Sequence, residues 1–154
     1  MSLESVRRFF DAHAPDLTVL ETEASSATVA EAAAAHGVEP GRIAKTLSLR
    51  IDGRVVLLVA SGTARLDNQK AKLAFGAKPR LLGADEVAAL TGHPVGGVSP
   101  FGLLNPLPIF CDVSLKALDE VLPAAGSTNS AVRIAPERLA VLVGAAWVDA
   151  CRSA

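Results

Sequence analysis

The chain has 154 residues, half of them apolar and 20% charged. That is enough for one core of ordinary size, too charged for a membrane-embedded protein and too patterned for disorder. Fifteen basic residues against sixteen acidic ones leave a net charge of −1, which argues against a general polyanion binder, and only two cysteines argue against a disulfide scaffold and for a reducing cytoplasm.

Leu3, Val6, Phe9 and Phe10 recur at helical spacing among Arg7, Arg8 and Asp11, so the pattern predicts an amphipathic helix over 3–13. These charges also leave no apolar run for a signal peptide. Leu17–Glu21 reads as a short strand. Thr28-Val29-Ala30-Glu31 is a capping box, opening an alanine-rich helix to His36 with Gly37 just past its end. Ile43–Ile51 and Val55–Ala60 read as strands joined at Asp52-Gly53, a hairpin signal. Asp67 caps a helix through Lys70, Leu73 and Ala74 that stops at Gly76, and Asp85–Leu90 is another short helix. The longest stretch without Asp, Glu, Lys or Arg, Val87 to Cys111, holds four Gly and four Pro, so it is not a membrane span. Within it, Thr91 to Gly102 is a loop. Pro108–Val113 reads as a strand, Ser114–Glu120 as a helical turn and Ala131–Ile134 as a strand. Pro136 opens a last helix through Val143, and Trp147 and Val148 form a closing strand. With no repeat and no linker, residues 1–154 read as one α+β domain.

Charge is uneven along this order. Residues 42–80 hold nine basic residues against Asp52 and Asp67, a local charge of +7, while residues 1–41 and 81–154 are acidic. A basic third inside an acidic chain suits one face for a polyanion, or else simply solvates strands and helices. Six aromatic residues are too few for a broad base-stacking platform.

Several motifs fail. Gly41-Arg42-Ile43-Ala44-Lys45-Thr46 lacks the glycine that a phosphate loop needs before its lysine. No Gly-x-Gly-x-x-Gly exists, and Gly97 to Gly102 is one residue too long for a nucleophile elbow. His13, His36 and His93 have no metal spacing, so no metal is expected. Two features remain. Lys45 stands among Ile43, Ala44, Thr46 and Leu47, either as a desolvated cation awaiting an anion or as a rim lysine with a snorkelling stem. Gly92 to Gly102 carries four Gly and two Pro, either to bring backbone N–H groups up to an anion or to turn the chain across a sheet.

Ile43-Ala44-Lys45-Thr46-Leu47 ahead of a strand pair, with Gly96-Gly97-Val98-Ser99-Pro100 as a Gly-x-x-x-Pro loop about fifty residues on, resembles the YbaK/ProX family. These are free-standing editing domains related to the insertion domain of bacterial prolyl-tRNA synthetase. Val29 to Ala33 and Gly126 to Asn129 support the likeness, which spans roughly residues 25–143. The resemblance implies a strongly curled, partly barrel-like mixed β-sheet with surrounding helices. It implies deacylation of mischarged tRNA, such as proline tRNA carrying Cys, Ser, Thr or Ala, without cofactor or metal, in the cytoplasm. Lys45 takes the position of the family's lysine, and Gly96, Gly97, Val98, Ser99 and Pro100 that of its loop. Thr46, Ser61, Phe101, Gly102 and Asn129 become candidate substrate contacts, and Arg42, Arg65, Lys70 and Lys72 candidate contacts to the tRNA backbone. The partners implied are the acceptor end of tRNA and prolyl-tRNA synthetase, with no DNA and no membrane. An aminoacyl ester is activated, so positioned water and an oxyanion site suffice, and no Ser-His-Asp set is needed. The competing reading is a module that docks tRNA or a synthetase without chemistry. Convergence of Lys45 and the Gly96–Pro100 backbone on one cleft discriminates the two.

Overall fold

The computed structural model describes residues 2–153. Helix α1 (Ser2–His13) buries Val6 and Phe10. It is followed by β1 (Leu20–Glu21) and α2 (Val29–His36). Thr28 caps α2 as expected, its Oγ1 accepting from the Glu31 N–H, while the Glu31 carboxylate reaches back to that hydroxyl rather than to the Thr28 N–H, and Gly37 ends the helix with φ +67°. A 3-10 turn over Pro40–Arg42 leads into β2 (Ile43–Ile51) and β3 (Arg54–Ser61). Asp52 and Gly53 both take positive φ, 46° and 80°. That two-residue turn matches the strand twist and sets the register Ile51↔Arg54 through Ala44↔Ser61.

β4 (Ala64–Leu66), α3 (Asn68–Phe75), β5 (Arg80–Leu81) and α4 (Ala84–Thr91) come next. Asp67 caps α3 by accepting from the Lys70 N–H, and Gly76 ends it. After the glycine-rich loop come β6 (Ile109–Asp112), a 3-10 turn (Val113–Ala117), β7 (Leu122–Pro123), β8 (Ser130–Ala131), α5 (Pro136–Val143), β9 (Ala146–Val148) and β10 (Cys151–Ser153). Expected strand 131–134 is therefore shorter: only Ser130 and Ala131 pair, with Leu20 and Glu21, while Ile134 bridges Val121. The turn after β6 also ends sooner than expected.

The main sheet runs β5-β2-β3-β6-β9, with β7 also on β2. β2 is antiparallel to β3 and β5 and parallel to β7, and β3-β6-β9 are parallel. β3 is covered on both faces, which is why it reads as an unbroken apolar run. Leu57 and Val59 face one core with Phe101, Ile109 and Leu139, and Val56, Leu58 and Ala60 face a second with Leu49 and Ile51. The strongly curled, partly barrel-like sheet is not supported. Its outermost strands, β5 and β9, do not pair with each other, and they are only two and three residues long. Such short edges cannot close a barrel, so the sheet is open and mixed, with five helices around it.

Candidate active site

β2 is paired from Ala44 to Ile51 with β3 on one edge. On its other edge, β7 pairs only with Ile43 and Ala44, and β5 only with Leu49 and Arg50. The interval between them, Lys45 to Ser48, has no strand partner. Ser48 turns its carbonyl outward to accept from the Leu82 N–H at 3.0 Å. By the two-residue period, Thr46 turns its own N–H and C=O toward the same open interval. A cavity of about 280 Å³ lies there. Ala44, Thr46 and Ser48 line it from the sheet, Val87 from α4, and Val95, Gly96 and Val98 from the loop.

Gly96 has φ +87°, and a Cβ on it would stand 2.8 Å from the Ala27 Cβ. A Cβ on Gly97 would stand 2.7 Å from the Ser127 carbonyl carbon. The loop is glycine-rich because two other segments press on it. The Gly97 N–H donates to the Pro94 carbonyl at 2.9 Å, so it is engaged in the turn. The N–H groups of Gly96 and Val98 have no backbone acceptor among the described residues. The loop is anchored below the cavity by wholly buried side chains. Phe101 packs on Phe10 with centroids 4.7 Å apart. Ser99 Oγ accepts from the Phe101 N–H at 3.2 Å. His93 Nε2 lies 2.8 Å from the Phe101 carbonyl.

Lys45 stands at the boundary of two recesses. Its residue lines the cavity, and with Leu47, Arg65 and Leu81 it also lines a neighbouring groove. Its ammonium donates to the Ala64 carbonyl and, at 3.5 Å, to that of Gly62. Half-burial pushes its pKa below the ordinary lysine value; the Cys151 thiol opposes this and the Arg65 charge adds to it.

The candidate residues therefore divide. Lys45, Thr46, Gly96 and Val98 meet at the cavity. Gly97, Ser99, Pro100, Phe101 and Gly102 lie outside its lining and hold the loop. Ser61 donates from Oγ to the Gly41 carbonyl at 2.7 Å, on another groove. Asn129 donates to the Thr22 carbonyl and accepts from Ser127 Oγ, tying β8 to the chain after β1. Arg42 is paired to Asp119 at 2.7 Å and Lys70 to Asp149 at 3.2 Å. Arg65 and Lys72 are exposed with no ion pair among the described residues. Ser48 and Leu82 belong to the site but were not among the expected residues. Two hydroxyl residues at alternate positions of one strand, Thr46 and Ser48, were the available signal for Ser48.

Cys111 and Cys151 are free and buried; burial, with Asp112 adding, pushes both thiols up to about 12. Among the described residues no group of His, Cys, Asp and Glu is placed to hold a metal ion, and no helix is long and apolar enough to cross a membrane.

Residues 23–142 match the aminoacyl-tRNA editing domain family. The chain belongs to that family. Its activity class is accordingly that of a deacylase, an ester hydrolase. It is 46% identical over 154 residues to the uncharacterized protein YwhH of Bacillus subtilis (strain 168), covering 99% of this chain and 98% of that one. It is 33% identical over 103 residues to a proline–tRNA ligase of Bacillus licheniformis, of whose length it spans 18%. A crystal structure of a proposed trans-editing enzyme for prolyl-tRNA synthetase superposes with a TM-score of 0.90 at 35% identity, over 99% of this chain and 98% of that one.

Proposed function

We propose that this editing domain, acting as one unit over 1–154, removes a small wrong amino acid from the 3′ end of a tRNA, with proline tRNA the first candidate. The observation that carries this reading is one cavity at the interrupted edge of β2 that the Lys45 residue, Gly96 and Val98 all line, with the Lys45 ammonium turned to the adjoining groove beside Ala64. The likeness to a proline–tRNA ligase supports the choice of tRNA.

The aminoacyl group enters the cavity with its ester carbonyl toward the Gly96 and Val98 N–H groups. Water adds to the carbonyl carbon, and those donors stabilise the oxyanion in a recess sheltered from bulk water. The intermediate expels the ribose oxygen, which leaves with a proton, and the free amino acid departs. The chain supplies position and electrostatics rather than a nucleophile. Lys45 and Arg65 form the cationic wall of the adjoining groove, suited to the terminal phosphate. Arg65 also faces Arg152 directly across β4 and β10, a like-charge pair that an anion would relieve. Arg65 and Lys72 track the acceptor stem, a contact to phosphates that needs no base readout. A synthetase partner is compatible with this reading.

The test is deacylation of proline tRNA charged in turn with Ala, Ser, Thr, Cys and Pro. Wild type is expected to clear one or two wrong esters and spare Pro, and Lys45→Ala to lower kcat/KM by at least about 100-fold, the scale set by loss of one preorganised charged contact, with an unchanged melting temperature. An unchanged rate in Lys45→Ala sinks the role of the lysine. Salt-sensitive tRNA binding with no ester loss replaces the enzyme by a docking module.

A further inference from the structure

Five hydroxyl side chains line the cavity: Ser26, Thr28, Thr46, Ser48 and Ser130. Three are engaged within the fold. Ser26 Oγ donates to the Thr128 carbonyl at 3.2 Å. Thr28 Oγ1 caps α2 and meets Glu31. Ser130 Oγ lies 2.6 Å from Ser127 Oγ. The other two, Thr46 Oγ1 and Ser48 Oγ, are buried with no hydrogen-bond partner. They stand two residues apart on one strand, so both side chains leave the same face of β2. Ser48 is only 5% exposed. A buried hydroxyl without a partner is unfavourable, and adjacent unpaired hydroxyls at a ligand cavity call for a ligand that pairs them. Around them the walls are apolar, from Ala44, Leu82, Val87 and Leu122.

We infer that Thr46 and Ser48 are the specificity determinants of this cavity, and that they select an aminoacyl group whose side chain carries a hydroxyl, the seryl or threonyl class. The inference rests on the deacylase reading above and narrows its substrate. A hydroxyl donates to one of these oxygens and accepts from the other. The isostere with methyl in its place, 2-aminobutyryl, leaves both unpaired, and a site built for a hydroxyl rejects such an analogue more strongly than an apolar pocket rejects an added hydroxyl.

Two adenosine amides test this, with nitrogen in place of the ester oxygen so that nothing hydrolyses: one seryl, one 2-aminobutyryl. Wild type is expected to bind the seryl amide about 10- to 100-fold more tightly, the worth of satisfying one or two buried hydroxyls. In the Thr46→Val, Ser48→Ala double variant the preference is expected to vanish, with a melting temperature equal to or above that of wild type, since unpaired hydroxyls are being removed. Equal binding by wild type, binding of neither amide, a preference kept by the double variant, or a lowered melting temperature would each overturn the inference. With esters on proline tRNA, the double variant is expected to lose kcat/KM for seryl selectively. An equal loss for every ester would mark the hydroxyls as holders of the attacking water and overturn it as well. A binding preference without hydrolysis of any ester sinks the deacylase reading and leaves the selectivity standing.

Discussion

His93 shows how a single ring can tie stability to acidity. Its Nε2 meets the Phe101 carbonyl, which only accepts, so that nitrogen carries the proton; Nδ1 is buried with no partner. A second proton would leave a charge and a donor in an apolar setting, and burial holds the pKa below the ordinary value of 6.5. The unfolded chain has no such obstacle and takes up the proton first as pH falls. The contribution is therefore complete above about pH 6.5 and declines below it. The urea midpoint is expected to be flat from pH 8 to 7 and to fall below about 6.5, with a shallower fall in His93→Gln, which keeps a donor for Phe101. His36, half-buried and also shifted downward by burial and then by Arg133, leaves part of the decline in place. A midpoint that stays flat on the acid side removes His93 from the account. Glycine gives a sharper contrast. Gly96→Ala combines a positive φ with a 2.8 Å approach to Ala27; a loss of about 1–3 kcal/mol together with most of the activity is expected. Gly37 also has a positive φ, but nothing lies within 4 Å of its would-be Cβ. Gly37→Ala should weaken α2 by about 1 kcal/mol and leave turnover alone, as paired urea melts and deacylation rates would show.

Among the elements, the long hairpin and the helices were legible in the sequence because their signals are local. Thr28 and Asp67 cap α2 and α3, Asp52-Gly53 turns the hairpin, and Pro136 starts α5, each with the geometry its residue type favours. β4, β5, β7 and β10 carried no such signal. Two or three residues make no periodicity, and each of these strands exists only because a distant partner offers an edge. That gap decided how much of the site could be read. Lys45, Thr46 and the glycine loop were visible, but the cavity arises where β5 and β7 both stop, which neither strand announces. Distant elements are also joined by Asp112, 1% exposed, at the end of β6. Its carboxylate accepts from the Ser114 N–H at 2.9 Å and from the Ala150 N–H at 2.8 Å, fixing the turn into β10. Asp112→Ala strands both donors and is expected to lower unfolding free energy by about 3 kcal/mol in denaturant titration, with Asp112→Asn less harmful; a loss below about 1 kcal/mol would deny it this clamping role.

For the whole molecule, the basic third matters less by its sum than by what remains uncommitted. Arg42, Arg50 and Lys70 are held by Asp119, Glu86 and Asp149, so the acidic remainder of the chain quenches part of the stretch. Arg65 and Lys72 keep their charge facing solvent. Each phosphate contact contributes about one unit to the slope of log affinity against log salt. Arg65→Ala and Lys72→Ala are each expected to flatten that slope by about one unit, whereas Arg42→Ala should leave it unchanged. Equal slopes for all three variants would mean that the polyanion contacts another face.

The recess depends on an interruption. β5 and β7 each contribute two residues to the same edge of β2 and leave a stretch between them with no strand partner on that edge. A variant in which either short strand grew toward the other would gain ladder hydrogen bonds and lose an exposed edge, and so would be the sturdier fold. It would also have nowhere to put an ester. On the reading proposed above, tolerance of an unfinished sheet and the capacity for chemistry are one property, and selection for thermal robustness alone would erase the second by repairing the first.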